Sequence, residues 1–523
     1  MTDFDLLWRG GTVIDGTGTP GFKADVAIRG DRVAALLPPG EGAAGEEWDV
    51  SGLVVSPGLI DVHNHSDGWL TNTPHLVSKT MQGFTTEVLM SDGISYAPVT
   101  PSLAPHWLHY LRSLNGLQVR EYTGWCSQDD YRQLLHQRTA QNSALQIPYA
   151  NVRAMACGWG RAKPDDTEMR QIQAEIRHDM EQGAVGLSTG LDYIVQCFSD
   201  TDELVEACRA MAPWQGLYVT HIRYKKGIIP ALQEAVDICR RAEVPLHVSH
   251  LKGDSTEQME EVLDFIDRVA VPQVDFTFDV YPYLPGSTML NSLLPYEAWE
   301  DGPLAVQGKL HQPEMRRKFQ RLLEDYRTDL DHIRIAWVGS RANQRLQGMS
   351  LAAYIAETGD TSADALADLL IDENLAVLCV FHRGDDRLVY PFLQHAKFIL
   401  GSDGIYFPQA QTHPRQFGSA PRILGPLVRD EKLFTLETAL QKMTSLPAAR
   451  FGLKDRGLLR AGAFADLVAF DPLTIGDRAT FEQPQQLSTG MVHVLVNGTP
   501  IIRQGVPVEP LAELPGRALK FKV

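Results

Sequence analysis

The segment Pro57-Gly58-Leu59-Ile60-Asp61-Val62-His63-Asn64-His65 ends an apolar run in two imidazoles spaced two residues apart. Residues two apart on a strand point the same way, so His63 and His65 can hold one cation together. Two further apolar runs also end in histidine, at Val219-Thr220-His221 and Val248-Ser249-His250. A fourth, Phe398-Ile399-Leu400-Gly401-Ser402-Asp403, ends in a carboxylate. Imidazoles and a carboxylate at several strand tips make a donor set for a divalent cation with a position left for water. Gly186-Leu187-Ser188-Thr189-Gly190 matches the nucleophile-elbow pattern, but no acid-then-histidine order with hydrolase spacing accompanies it, and Ser188 is not expected to attack. Arg383-Gly384-Asp385 is read as a chance tripeptide.

The elements that must position these residues alternate along the middle of the chain. Helical periodicity over Thr167–Gly183, Asp202–Ala212, Ile229–Ala242 and Ser255–Val269 is followed each time by a short apolar strand. That rhythm predicts parallel βαβ units, and hence a barrel or an open sheet. It breaks from about 285 to 348, where an insertion or lid is expected. Both ends of the chain read as strands with tight turns, as at Asp25–Val33, Ala465–Phe470 and Val492–Pro500, and can pair into one small domain. The 523 residues suffice for a large core, with 44% hydrophobic and 22% charged residues. The net charge of −17 argues against nucleic acid and against anionic membrane as partners. Six cysteines without a C-x-x-C pair exclude a disulfide scaffold and a zinc ribbon. The acidic N-terminus and the lack of a long apolar run lead to the expectation of a cytoplasmic protein.

Taken together, PGLIDVHNHSD (57–67), QGFTTEVLMSDGISYAP (82–98), GAVGLSTGLDY (183–193), THIR (220–223), SHLKGD (249–254), DVYPYLPGSTML (279–290), ILGSDG (399–404), HPRQFGSAPRILG (413–425) and GLLRAGAFADLVAFDP (457–472) resemble the amidohydrolase superfamily, and within it the N-acyl-D-amino-acid deacylases. The resemblance runs over nearly the whole chain. The first motif and Ser-Asp-Gly are shared across the superfamily, and the Tyr-Pro-Tyr and His-Pro-Arg segments are narrower. It implies an α/β fold, a (β/α)8 TIM-like barrel at 58–456, with a β-sandwich built from 1–57 and 457–523. It implies one or two divalent ions, zinc first, on His63, His65, His221, His250 and Asp403. The family places a metal-binding Cys where this chain has Asp92. Asp92 is expected to be a ligand, and its harder oxygen also admits Mn²⁺ or another oxygen-tolerant ion. Glu87, at odd parity to Asp92, is read as a structural carboxylate. The implied reaction is hydrolysis of the amide bond of an N-acyl-D-amino acid or a near relative, by metal-activated water with Asp403 as general base. The small-molecule substrate would carry a carboxylate held by Lys252, Tyr283 and Arg415, with Arg223 as an additional partner. The rival activities are cyclic amide hydrolysis of the dihydropyrimidinase or hydantoinase kind and dipeptide hydrolysis. Outside catalysis, the rival is a metal-free scaffold. The oligomeric state is left open.

Overall fold

A computed structural model describes residues 3–326 and 328–522. Eight parallel strands form the centre: β1 (Leu59–Asp61), β2 (Phe84–Leu89), β3 (Asn142–Leu145), β4 (Gly186–Gly190), β5 (Leu217–His221), β6 (Leu246–Val248), β7 (Phe276–Val280) and β8 (Phe398–Leu400). Val185 N donates to Leu145 O at 2.9 Å between β3 and β4. The circle closes where Val62 N donates to Leu400 O at 3.3 Å and Asn64 bridges Gly404. Helices pack outside, so the strands are buried on both faces and read as apolar runs rather than alternations. The helix Asp166–Gln182 shows how sharply the sequence sets these boundaries. Asp165 and Glu168 form a capping box at its start, and Gly183 ends it in the left-handed region at φ 100°.

The two chain ends build a sandwich. One sheet mixes them, running in order through Val506–Pro507, Thr499–Arg503, Met491–Val496, Leu467–Phe470, Val54–Pro57, Thr12–Val13 and Phe22–Lys23. The other is N-terminal alone: Arg32–Leu37, Asp25–Arg29, Phe4–Arg9 and Ala44–Asp49. Trp8, Val26, Ile28, Trp48, Val55, Leu467 and Leu495 fill the space between.

Two boundaries differ from the sequence reading. The insertion between β7 and β8 is longer than 285–348. Its antiparallel sheet of Gly286–Met289, Val377–Phe381 and Ile333–Val338 takes its central strand from Val377–Phe381, beyond the expected end of the insertion. The C-terminal part is also not confined to the sandwich. Ala518–Leu519 extends the barrel sheet beside β3, and residues 471–490 run back over the barrel, where Phe481 reaches the central cavity. Among the described residues, no helix is long and apolar enough to cross a membrane.

Candidate metal centre

The histidines and aspartates singled out above converge at the C-terminal mouth of the barrel, where parallel barrels carry their chemistry. Three overlapping sets have ligand atoms within 4.8 Å of one another: His63, His65 and Asp92; Asp92, His221 and His250; and His63, His250 and Asp403. Asp92 belongs to both of the first two sets, so it stands between the halves of the centre. Its Oδ1 lies 3.5 Å from His63 Nε2 and its Oδ2 3.7 Å from His65 Nε2. Asp403 Oδ1 lies 3.3 Å from His65 Nε2. His221 Nδ1 and His250 Nε2 meet at 2.9 Å. Three of these residues lie past their strands on backbone of positive φ: Asp92 at 59°, His250 at 38° and Asp403 at 49°. Such conformations are costly for non-glycine residues and are kept where a side chain must be aimed. His250 therefore does not sit on a strand tip, because β6 ends two residues earlier.

Each imidazole shows one nitrogen to the centre and the other to a partner. His63 Nδ1 faces Asp279 Oδ2 at 3.5 Å, and the same oxygen lies 3.0 Å from His247 Nε2. His65 Nδ1 meets Asn115 Oδ1 at 3.2 Å, His250 Nδ1 meets the Tyr224 hydroxyl at 3.3 Å, and His221 Nε2 faces Asp192 Oδ2 at 3.7 Å. Partners of this kind fix ring orientation and tautomer around metals. Gly401 lets the chain pass this cluster, since a Cβ there would lie 2.6 Å from Asp279 Oδ1 and 2.7 Å from His63 Cβ.

The donor set fits a divalent cation. His63 Nε2 and Asp92 Oδ1 are buried without a hydrogen bond. Burial disfavours a charged His63, yet Asp279, Asp92 and Asp403 outweigh it and push its pKa up to about 10. The pocket thus holds more negative charge than its own side chains neutralise. His250 goes the other way, down to about 3, through burial and the neighbouring His221. A neutral imidazole is the ligand form. Burial also penalises ionised Asp403, but Arg415, His63 and His65 hold it well below the usual carboxylate range.

The centre opens into a cavity of about 1620 Å³. Lys252 lines it, with Nζ donating to the Tyr281 hydroxyl at 2.7 Å. Burial, then Arg415 and Arg383, hold its pKa well below that of a free lysine, against the opposing pull of Asp403 and Asp254. Three expectations are corrected here. Tyr283 is off the cavity wall, its hydroxyl donating to Asp477 at 3.3 Å, and Tyr281 takes the place beside Lys252. Arg223 is a loop clamp whose guanidinium donates to Leu191 O, Cys197 O and Ser199 O and pairs with Glu234. Arg415 is fully buried behind Asp403, with Nη1 2.8 Å from Asp403 Oδ2 and Nη2 donating to Ser287 O. Glu87 is structural, accepting from Ser66 and Gln141 at 2.7 Å each. The Ser188 hydroxyl is spent on Met90 O at 2.6 Å.

Comparison with known proteins places this architecture. The chain is 36% identical over 503 residues to a D-aminoacylase of Alcaligenes xylosoxydans xylosoxydans, covering 95% of this chain and 94% of that protein. The chain belongs to the N-acyl-D-amino-acid deacylases of the amidohydrolase superfamily. An N-acyl-D-glutamate deacylase of the same organism is 35% identical, covering 99% of this chain and 96% of the relative. The Amidohydrolase family model matches residues 394–502. Among solved structures, an N-acyl-D-glutamate deacylase from Bordetella bronchiseptica, complexed with zinc and a phosphonate inhibitor, superposes with a TM-score of 0.83 at 32% identity, covering 99% of each chain. The barrel is also that of an L-hydantoinase from Arthrobacter aurescens, with a TM-score of 0.57 at 17% identity, 99% of this chain and 100% of that one; this likeness concerns the fold alone. Within the deacylase architecture, sequence reasoning missed Asp279, Asn115, Asp192, Tyr281 and Phe481. Asp192, Asp279 and Tyr281 lay inside quoted motifs. The others are common residue types with no local signature, up to 416 positions from the first histidine pair they serve.

Proposed function

We propose that this chain hydrolyses the amide bond of N-acyl-D-amino acids, using one or two divalent ions, zinc foremost, held by His63, His65, Asp92, His221, His250 and Asp403. The observation that carries the reading is the charge division of one cavity. A carboxylate-rich centre adjoins a wall where Lys252 lies against Tyr281 with Arg383 nearby. An N-acyl amino acid has the matching ends: an amide for the centre and a carboxylate for the cations. Related structures support the metal: one deacylase is complexed with zinc, and D-aminoacylase has a binuclear metal centre.

An ion bound here supplies Lewis acidity, acidifying water toward a pKa of ~7 and polarising an amide carbonyl. The chain's own groups do the rest. Lys252 and the Tyr281 hydroxyl anchor the carboxylate and so fix the amide over the centre. Asp403 presents Oδ1 between His63 and His65 while Arg415 holds Oδ2. Arg415 keeps Asp403 ionised and correctly turned, ready to take a proton and pass it to the departing nitrogen. Asp403→Asn should lower kcat by about 10²–10⁴ with metal still bound, the span of a lost general base. Near-wild-type kcat on N-acetyl-D-alanine would remove Asp403 from that role. A screen of N-acyl-D- and N-acyl-L-amino acids, dipeptides and cyclic amides tests the substrate class. Cyclic amide hydrolysis is disfavoured because Asp92, an ordinary carboxylate, fills the place between the two halves of the centre.

A further inference from the structure

The insertion meets the barrel behind His221. The loop after β4 carries Asp192 and Tyr193. Asp192 Oδ2 faces His221 Nε2 at 3.7 Å and accepts from Lys225 N at 3.2 Å, and the Tyr193 ring lies 4.8 Å from the His221 ring. From the insertion, the Tyr296 hydroxyl donates to Asp192 Oδ1 at 2.7 Å. Thr288 meets the Tyr193 hydroxyl at 3.3 Å, and Ser292 O accepts from Lys225 Nζ at 3.0 Å. Gln196 of the same loop donates to Asp92 O at 2.8 Å. The loop therefore braces two ligands of the centre from one side and receives the insertion on the other.

An imidazole that offers Nδ1 to a cation must carry its proton on Nε2, and that proton needs an acceptor. Asp192 is the carboxylate facing Nε2. A carboxylate held at one oxygen only can turn about its last bond, and Tyr296 supplies the second hold. We propose that Asp192 and Tyr296 are positioning residues of the metal centre: the insertion, through Tyr296, fixes Asp192 against His221 and so sets the orientation in which His221 binds the cation. This rests on the metal-centre reading above and extends it. The insertion becomes a part of metal affinity as well as a wall of the cavity.

The test is zinc competition against a chromophoric chelator with the full-length protein, together with the visible spectrum of the cobalt-substituted form. Tyr296→Phe should weaken one metal equivalent by about 10-fold and alter the cobalt spectrum, and Asp192→Asn should weaken it by about 10- to 100-fold, the range of lost second partners. Because the two act in series, the double variant should be no weaker than Asp192→Asn alone. Thermal melts of the metal-free proteins control for folding. Wild-type metal affinity in a folded Tyr296→Phe, or full additivity in the double variant, would overturn the positioning role. A wild-type protein that takes up no divalent ion would instead overturn the metal-centre reading itself.

Discussion

At the scale of single residues, the centre is a problem in charge. Asp92, Asp279 and Asp403 surround His63 and leave it protonated up to about pH 10 when no cation neutralises them. A cation that takes His63 as a ligand must displace that proton. Zinc uptake at pH 8 should therefore release close to one proton from His63, and affinity should climb about tenfold per pH unit until the pKa near 10 is passed. Calorimetry in buffers of different ionisation enthalpy would show this, and uptake without proton release would contradict the assignment. Lys252 bears a different strain, burial reinforced by Arg415 and Arg383 and only partly offset by Asp403 and Asp254. A substrate carboxylate would relieve it. Lys252→Met should raise KM for N-acyl-D-amino acids by about 10- to 100-fold, since a charge-assisted hydrogen bond contributes about 1.5–3 kcal/mol, with a smaller effect on kcat. The residues that converge on the centre were legible in the sequence, because histidines ending apolar runs are an uncommon pattern. Their partners were not. Asn115 and Asp192 are ordinary loop residues until the fold brings them to an imidazole.

At the scale of elements, legibility follows the period of the strand. The alternation rule paired His63 with His65, and both meet at the centre although β1 ends at Asp61. Past a strand end that rule lapses, which is why Tyr281 and Tyr283, two apart beyond β7, were not distinguished by parity. The left-handed residues Asp92, His250 and Asp403 mark the same limit, where tertiary contacts override local preference. One buried pair ties two elements of the centre together. Lys79 Nζ donates to Asp61 Oδ2 and to Ser402 Oγ at 2.6 Å each, and Asp61 also accepts from Ser402 N at 2.8 Å. Asp61 ends β1 just before His63, and Ser402 precedes Asp403, so this cluster clamps a metal ligand to the proposed base. Lys79→Met would leave Asp61 buried and unpaired, at a cost of about 3–5 kcal/mol. The denaturation midpoint should fall accordingly, and Asp61→Leu added to Lys79→Met should recover much of the loss. An unshifted midpoint in Lys79→Met would mean that the pair contributes nothing to the fold.

At the scale of the whole molecule, the two β-rich ends correctly announced a shared sandwich, because strands that cannot bury both faces alone must find each other. The run over 471–490 was not announced. It has little regular structure, so periodicity was silent, yet it brings Phe481 from the second domain to the cavity wall beside His382 and His413, at ring separations of 4.8 and 4.9 Å. The barrel thus borrows one aromatic face from the sandwich domain, and the cavity is complete only when both halves are folded together. The ring partners of Phe481 are Tyr283, His382 and His413, so its contribution should be to binding rather than to the chemical step. Half-burying a phenyl ring contributes about 1 kcal/mol, so Phe481→Ala should raise KM about 5-fold while leaving kcat within about 2-fold. Steady-state kinetics on N-acyl-D-amino acids of increasing acyl length would measure it. An unchanged KM across that series would reduce Phe481 to a packing residue between Tyr283 and His382. A matched fall in kcat would place it against the transition state instead.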